Sequence, residues 1–152
     1  MQNTNFGELD KEEKELLGAA EEALQYAYNP YNSETKVGAG VRTSTGEIFV
    51  GSNIANASST VNLCAERTAV AAANGKGHRD IVMIALIGTD EDGIVEEPVM
   101  PCGVCLQFME ELITINHKDI TVIASNTKKD KIVKTSLKEL LPFPYEGSGK
   151  TE

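Results

Sequence analysis

Leu16, Leu17, Ala20, Ala23, Leu24 and Ala27 recur at helical spacing behind Asp10 and a run of acids. That pattern predicts a helix capped by Asp10 and running to about Tyr28, where Asn29-Pro30 ends it. After a turn over Tyr31 to Lys36, Val37 to Thr43 predicts a strand. Ser44-Thr45-Gly46 then predicts a hairpin turn, and Glu47 to Gly51 a returning strand. Ser52 to Asn62 is polar and irregular. A short alanine-rich helix is predicted from about Cys64 to Ala73, closed by Asn74-Gly75. Ile81 to Gly88 is a nearly unbroken apolar run, the mark of a central strand buried on both faces. Thr89 to Met100 is an acidic loop, and Pro101 introduces a helix from about Cys102 to Ile115. Asp119 to Ala124 predicts another strand and Ile132 to Thr135 one more. Ser136 to Leu141 makes a last helical turn before Pro142.

The order is helix, two strands, helix, strand, helix, strand. It predicts an α/β fold with one mixed sheet layered between helices, spanning residues 1–152 as a single domain. Residues 1–9 read as a polar N-terminal tail and 146–152 as a C-terminal tail. At 152 residues with 41% apolar content, the chain is long enough to bury a core of its own. No apolar stretch is long enough to span a bilayer, so no membrane partner is expected. Met1 to Asp10 is polar and acidic, unlike a secretory signal, and a cytoplasmic protein is the default expectation. The formal net charge is −9. Lys128, Lys129 and Lys131 are diluted by Asp130, and no basic cluster offers itself to a phosphate backbone. A small-molecule substrate, and no nucleic acid, is therefore expected.

The three cysteines all fall in two short motifs, Cys64-Ala65-Glu66-Arg67 and Pro101-Cys102-Gly103-Val104-Cys105. An odd count in a chain expected in the cytosol argues against a disulfide framework. Cys64 and Cys102 sit at predicted helix starts, with Cys105 one turn further on. The partial positive charge and free N–H groups of helix starts favour thiolate over thiol. Three thiolates can hold a zinc ion and leave its fourth position open, which is the arrangement of a catalytic site. Zinc makes bound water reactive near pH 7, and Glu66, two residues after the first ligand, is placed to carry protons. Arg67 is placed to donate hydrogen bonds to a thiolate and offset the negative charge of the trio. A structural site closed by His78 or His117 is the contrasting reading, although both histidines are predicted in surface loops.

Cys-Ala-Glu-Arg followed by Pro-Cys-x-x-Cys resembles the zinc-dependent cytidine deaminases. Asn29-Pro30-Tyr31 with Val37-Gly38-Ala39 is similar to the family's N-terminal turn and first strand. Gly51-Ser52-Asn53-Ile54 and Asn56-Ala57-Ser58 are similar to its substrate loop, and Leu140-Leu141-Pro142 to its C-terminal signature. The resemblance covers about Leu16 to Tyr145. It implies zinc held by Cys64, Cys102 and Cys105, and Glu66 as the catalytic proton carrier. It also implies substrate contacts at Asn53, Ala55, Ala65 and Tyr145. The implied reaction is hydrolytic deamination of cytidine or deoxycytidine, as in pyrimidine salvage. Water adds at C4 of the ring, Glu66 protonates N3 and then the departing amine, and ammonia leaves. Cysteine rather than histidine as the first ligand resembles the small enzymes that act on free nucleosides. Such relatives are homotetramers whose neighbouring subunits complete each site, and Ser59 would then face a partner.

Two departures from the family pattern bear on the sugar. The family's loop reads Asn-x-Glu-Asn, where this chain has Asn53-Ile54-Ala55-Asn56. A methyl at Ala55 accepts no hydrogen bond, a loss of about 1–3 kcal/mol for a contact to a substrate hydroxyl. The family's Tyr-Ser-x-Phe-x-Val turn is one residue longer here, Tyr31 to Val37, with Thr35 nearest the aromatic position. Leu106-Gln107 also stands where Arg-Gln is common. The longer turn resembles the deaminases of blasticidin S, a cytosine nucleoside antibiotic with an altered sugar. Deamination of such a modified nucleoside is the alternative expectation.

Overall fold

The computed structural model describes residues 1–31 and 35–147. Asn32, Ser33 and Glu34 of the expected turn, and 148–152 of the expected C-terminal tail, lie outside the described residues. Six strands form one mixed sheet: β1 (Gln2–Thr4), β2 (Lys36–Thr43), β3 (Ile48–Ser52), β4 (Ile81–Thr89), β5 (Thr121–Ser125) and β6 (Ile132–Ser136). Among the described residues four α-helices accompany them: α1 (Lys11–Ala23), α2 (Ala65–Asn74), α3 (Gly103–Asn116) and α4 (Leu137–Leu140). The sheet order is β1-β6-β5-β4-β2-β3. Only β4 and β5 pair in parallel, joined through α3; the other pairs are antiparallel.

Strand β4 divides the core. Its Ile84 and Leu86 pack with Val70, Met109 and Ile113 beneath α2 and α3. Its Ala85 and Ile87 point to the opposite face and pack with Leu16, Leu17 and Ala20 of α1. Alternation on a strand covered on both sides turns into a continuous apolar run in the sequence.

Helix α1 starts where Asp10 predicts it, in a full capping box. Asp10 Oδ1 accepts the Glu13 N–H at 2.9 Å, and Glu13 Oε2 accepts the Asp10 N–H at 3.0 Å. Regular α-helix ends at Ala23 rather than near Tyr28, and Leu24–Tyr26 continue as a 3₁₀ turn. Two sheet glycines set the helix distances. A Cβ on Gly38 would lie 2.0 Å from the Ala20 carbonyl oxygen of α1. One on Gly51 would lie 2.3 Å from the Ala69 amide nitrogen of α2. Hydrogen at these positions lets both helices sit directly on the strands.

The expected N-terminal tail is in part a strand: Gln2, Asn3 and Thr4 pair with Lys134, Val133 and Ile132 at the sheet edge. Helix α2 is closed by Gly75 in a right-handed conformation, and the left-handed glycine follows at Gly77. The acidic loop before Pro101 is tied to the body of the protein. Thr127 Oγ1 accepts the Val95 N–H and donates to the Gly88 carbonyl, and the Val99 N–H bonds to the Ser125 carbonyl. These bonds deliver Val99 and Met100 to the sheet end where α2 and α3 begin. No helix among the described residues is long and apolar enough to cross a membrane.

Candidate active site

Cys64 is the N-cap of α2 and Cys102 the N-cap of α3, both with extended backbone and neither bonding its own helix through the side chain. Cys105 lies in the first turn of α3, so its side chain comes back over the helix start toward Cys102. The Cys102 sulfur is 3.9 Å from that of Cys64 and 3.6 Å from that of Cys105. All three lie within 4.8 Å of one another. A tetrahedral ion with bonds of about 2.3 Å holds its sulfur ligands about 3.8 Å apart, so the spacing suits zinc. Among the described residues neither histidine joins this group. His78 instead stacks near Phe49 and faces Glu47 and Asp80, and His117 is the left-handed C-cap of α3.

The electrostatics fit a cation. Hydrogen bonding from Cys105, aided by Arg67 and Cys102, brings the Cys64 thiol down to about 5 against the effect of burial. The same bond to Cys64, with burial and the charges of Glu66 and Cys64, pushes the Cys105 thiol up. One thiolate thus forms at the expense of its neighbour, and a dication is what allows the trio to ionise together. Burial opposes the charge of Arg67, but hydrogen bonds to Cys64 and Cys105 outweigh it and raise its pKa. Arg67 is fixed from the other side by a 2.7 Å bond from Nη2 to the Asn62 carbonyl.

Glu66 is only 4% exposed. Burial raises its carboxyl above the usual range, the Cys64 charge adds to that, and hydrogen bonds to its own backbone and to Cys105 act in the opposite sense. It opens onto a cleft of about 240 Å³ that Cys64, Ala65 and Cys102 also line. The structure therefore brings Glu66, two of the three cysteines and three of the expected substrate contacts, Asn53, Ala55 and Ala65, to one cleft.

Tyr145, the fourth expected contact, is not among the cleft residues. It is 77% exposed, and Gln107 holds its backbone along α3, accepting its N–H at 2.8 Å and donating to its carbonyl at 3.0 Å. Asn53 is also more than a cleft residue. Its Oδ1 accepts the Val37 N–H at 2.8 Å and its Nδ2 donates to the Thr35 carbonyl at 3.2 Å. Sequence reasoning did not single out Leu63, Val99 or Met100, which complete the wall. The one hint was position, since each stands one or two residues before a cysteine motif.

The α/β layered fold thus carries three sulfurs able to hold a metal ion, a buried carboxyl and a small cleft, the parts of a metal-dependent enzyme. The family model "Cytidine and deoxycytidylate deaminase zinc-binding region" matches residues 10–124. A cytidine deaminase of Halalkalibacterium halodurans is 38% identical over 130 residues, which is 86% of this chain and 91% of that protein. A blasticidin-S deaminase of Bacillus cereus is 31% identical over 140 residues, 90% of this chain and 94% of that protein. A crystal structure of cytidine deaminase from Burkholderia pseudomallei superposes with a TM-score of 0.74 at 36% identity, covering 86% of this chain and 97% of that one. The chain belongs to the zinc-binding cytidine and deoxycytidylate deaminase family.

Proposed function

We propose that this protein is an aminohydrolase of cytosine nucleosides, converting cytidine and deoxycytidine with water to the uracil nucleosides and ammonia. The observation that carries the reading is a trio of cysteine sulfurs within 4.8 Å of one another, two of which line one small cleft together with the buried Glu66. Cys64, Cys102 and Cys105 hold the zinc, which when bound supplies Lewis acidity and a water activated near neutral pH. Glu66 is the proton carrier. Its buried carboxyl at the cleft is placed to take a proton and return it, first to ring N3 and then to the leaving amine. The N-terminal amides of α2, which Cys64 does not cap, are hydrogen-bond donors for the ring carbonyl beside Ala65. Arg67 sets a fixed positive charge against the thiolates.

The assembly belonging to this reading is a homotetramer in the cytoplasm, where zinc thiolates stay reduced. In its support, Val104, Phe108 and Ile115 are exposed along one side of α3, and the exposed Tyr145 lies beside that helix. Light scattering tests this part, with a monomer as the contrary result.

A second reading, deamination of a modified nucleoside such as blasticidin S, draws support from Ala55 in the cleft and from the Bacillus cereus relative. A panel of cytosine nucleosides on zinc-loaded protein, followed by loss of cytosine absorbance, tests both. Turnover of cytidine and deoxycytidine upholds the first reading; turnover of blasticidin S alone replaces it with the second.

A further inference from the structure

Between β4 and α3 the chain forms no regular element, yet this stretch supplies Val99 and Met100 to the cleft wall and ends at Cys102. A loop of that length holds one shape only where something fixes it. Thr127, in the turn between β5 and β6, joins its midpoint to the end of β4. The Thr127 N–H donates to the Val95 carbonyl at 3.1 Å, and Oγ1 accepts the Val95 N–H at 2.7 Å. The same hydroxyl donates to the Gly88 carbonyl at 2.6 Å. Two neighbours in the turn add to this. The buried Asn126 donates from Nδ2 to the Glu96 carbonyl at 3.2 Å, and the Ser125 carbonyl accepts the Val99 N–H at 3.2 Å. The ion pairs of Lys128 with Glu96 and of Lys131 with Glu97 are exposed and contribute little.

Gly88 is also where the wall is seated. It stands opposite Val37 in the sheet, and a Cβ on it would lie 2.7 Å from Val99 Cγ2 and 3.7 Å from Val37 Cγ2. Val37 and Val99 both line the cleft. The Thr127 hydroxyl therefore grips the backbone beneath two wall residues, although Thr127 itself is not among the lining residues. We propose that Thr127 is a positioning residue for nucleoside binding: by joining Val95 to Gly88, its hydroxyl holds Val99 and Met100 at the cleft. Without it the Val95 N–H and the Gly88 carbonyl lose a partner, and the loop shifts to let water reach them. The wall touches the substrate before and during the reaction alike, so the loss falls on KM rather than kcat. This rests on the cytosine aminohydrolase reading above and adds a residue that lies outside the cysteine motifs.

Thr127→Val keeps the shape of the side chain and removes the hydroxyl. On zinc-loaded protein with cytidine, KM is expected to rise at least about fivefold while kcat stays within about threefold. Thr127→Ser keeps the hydroxyl and is expected to stay within about twofold of the parent in both constants. A residue that only stiffens the loop lowers the melting temperature and leaves KM alone. That result in a folded, zinc-loaded Thr127→Val overturns the proposal, as does a loss confined to kcat. Val99→Ala tests the route: in its background Thr127→Val is expected to raise KM by less than it does in the parent, and an equal rise overturns the action through Val99. Should Thr127→Val not fold, Val99→Ala alone is read by the same KM criterion. Turnover with an unmoved KM sinks this inference alone, whereas no turnover of any cytosine nucleoside sinks the aminohydrolase reading with it.

Discussion

Glu66→Gln isolates the proton carrier. The substitution keeps the volume of a side chain that is 4% exposed, so packing of the α2 start is preserved. It also removes the ionisable group at a place solvent reaches poorly. No other carboxylate among the described residues lines the cleft. One positioned acid/base group contributes about 10²–10⁴-fold. Glu66 is assigned two transfers, to N3 and to the leaving amine, which puts the expected loss in kcat/KM near the upper end. At about 10⁴-fold it corresponds to about 5.5 kcal/mol of transition-state stabilisation. The assay is loss of cytosine absorbance, with zinc per chain measured on the same preparation. Full zinc with activity within about tenfold of the parent would refute the assignment, since the loss expected from a proton carrier begins at about a hundredfold.

Cys64→Ala removes one of three sulfurs. It is expected to leave a preparation that loses zinc to a mild chelator and melts lower, whereas the parent keeps its metal; equal retention would show that Cys64 is no ligand. Gly51→Ala forces a methyl against Thr68 and Ala69 of α2. A cost of about 1–3 kcal/mol is expected in denaturant unfolding, and an unchanged midpoint would mean that α2 is not seated as described. Glu139 sits near pKa 2, held down by the Thr135 hydroxyl and then by the N-terminal ammonium. Its contribution is present above the ordinary carboxylate value of 4.5 and is lost as pH falls toward 2. Glu139→Gln should therefore reduce the drop in melting temperature between pH 5 and pH 3; an identical drop in both proteins would contradict the linkage.

The site was more legible in the sequence than the sheet was. Cys102 and Cys105 converge because an N-cap residue and one a turn later share a side of the helix, a relation that spacing carries, whereas Cys64 joins them only through the tertiary placement of one helix start beside the other. Asp10 and the acids behind it announce α1, and the run from Ile81 announces a strand covered on both faces. Strand β1 left no such trace. An edge strand needs only backbone bonds from one side, so Gln2-Asn3-Thr4 carries no apolar alternation and reads as a tail. The role of Asn53 in bracing Val37 and Thr35 was equally hidden, because its partners stand sixteen and eighteen residues away. The resemblance implies a substrate contact at Tyr145, but the clamp by Gln107, thirty-eight residues earlier, is a tertiary fact that no local pattern encodes.

The central claim is that three cysteine sulfurs hold zinc with one corner open beside Glu66. X-ray absorption at the zinc edge of the purified protein tests it most directly. The account predicts one zinc per chain with three sulfur neighbours at about 2.3 Å and one lighter atom from solvent at about 2.0 Å. A fourth neighbour supplied by the protein, or protein without metal, would contradict it.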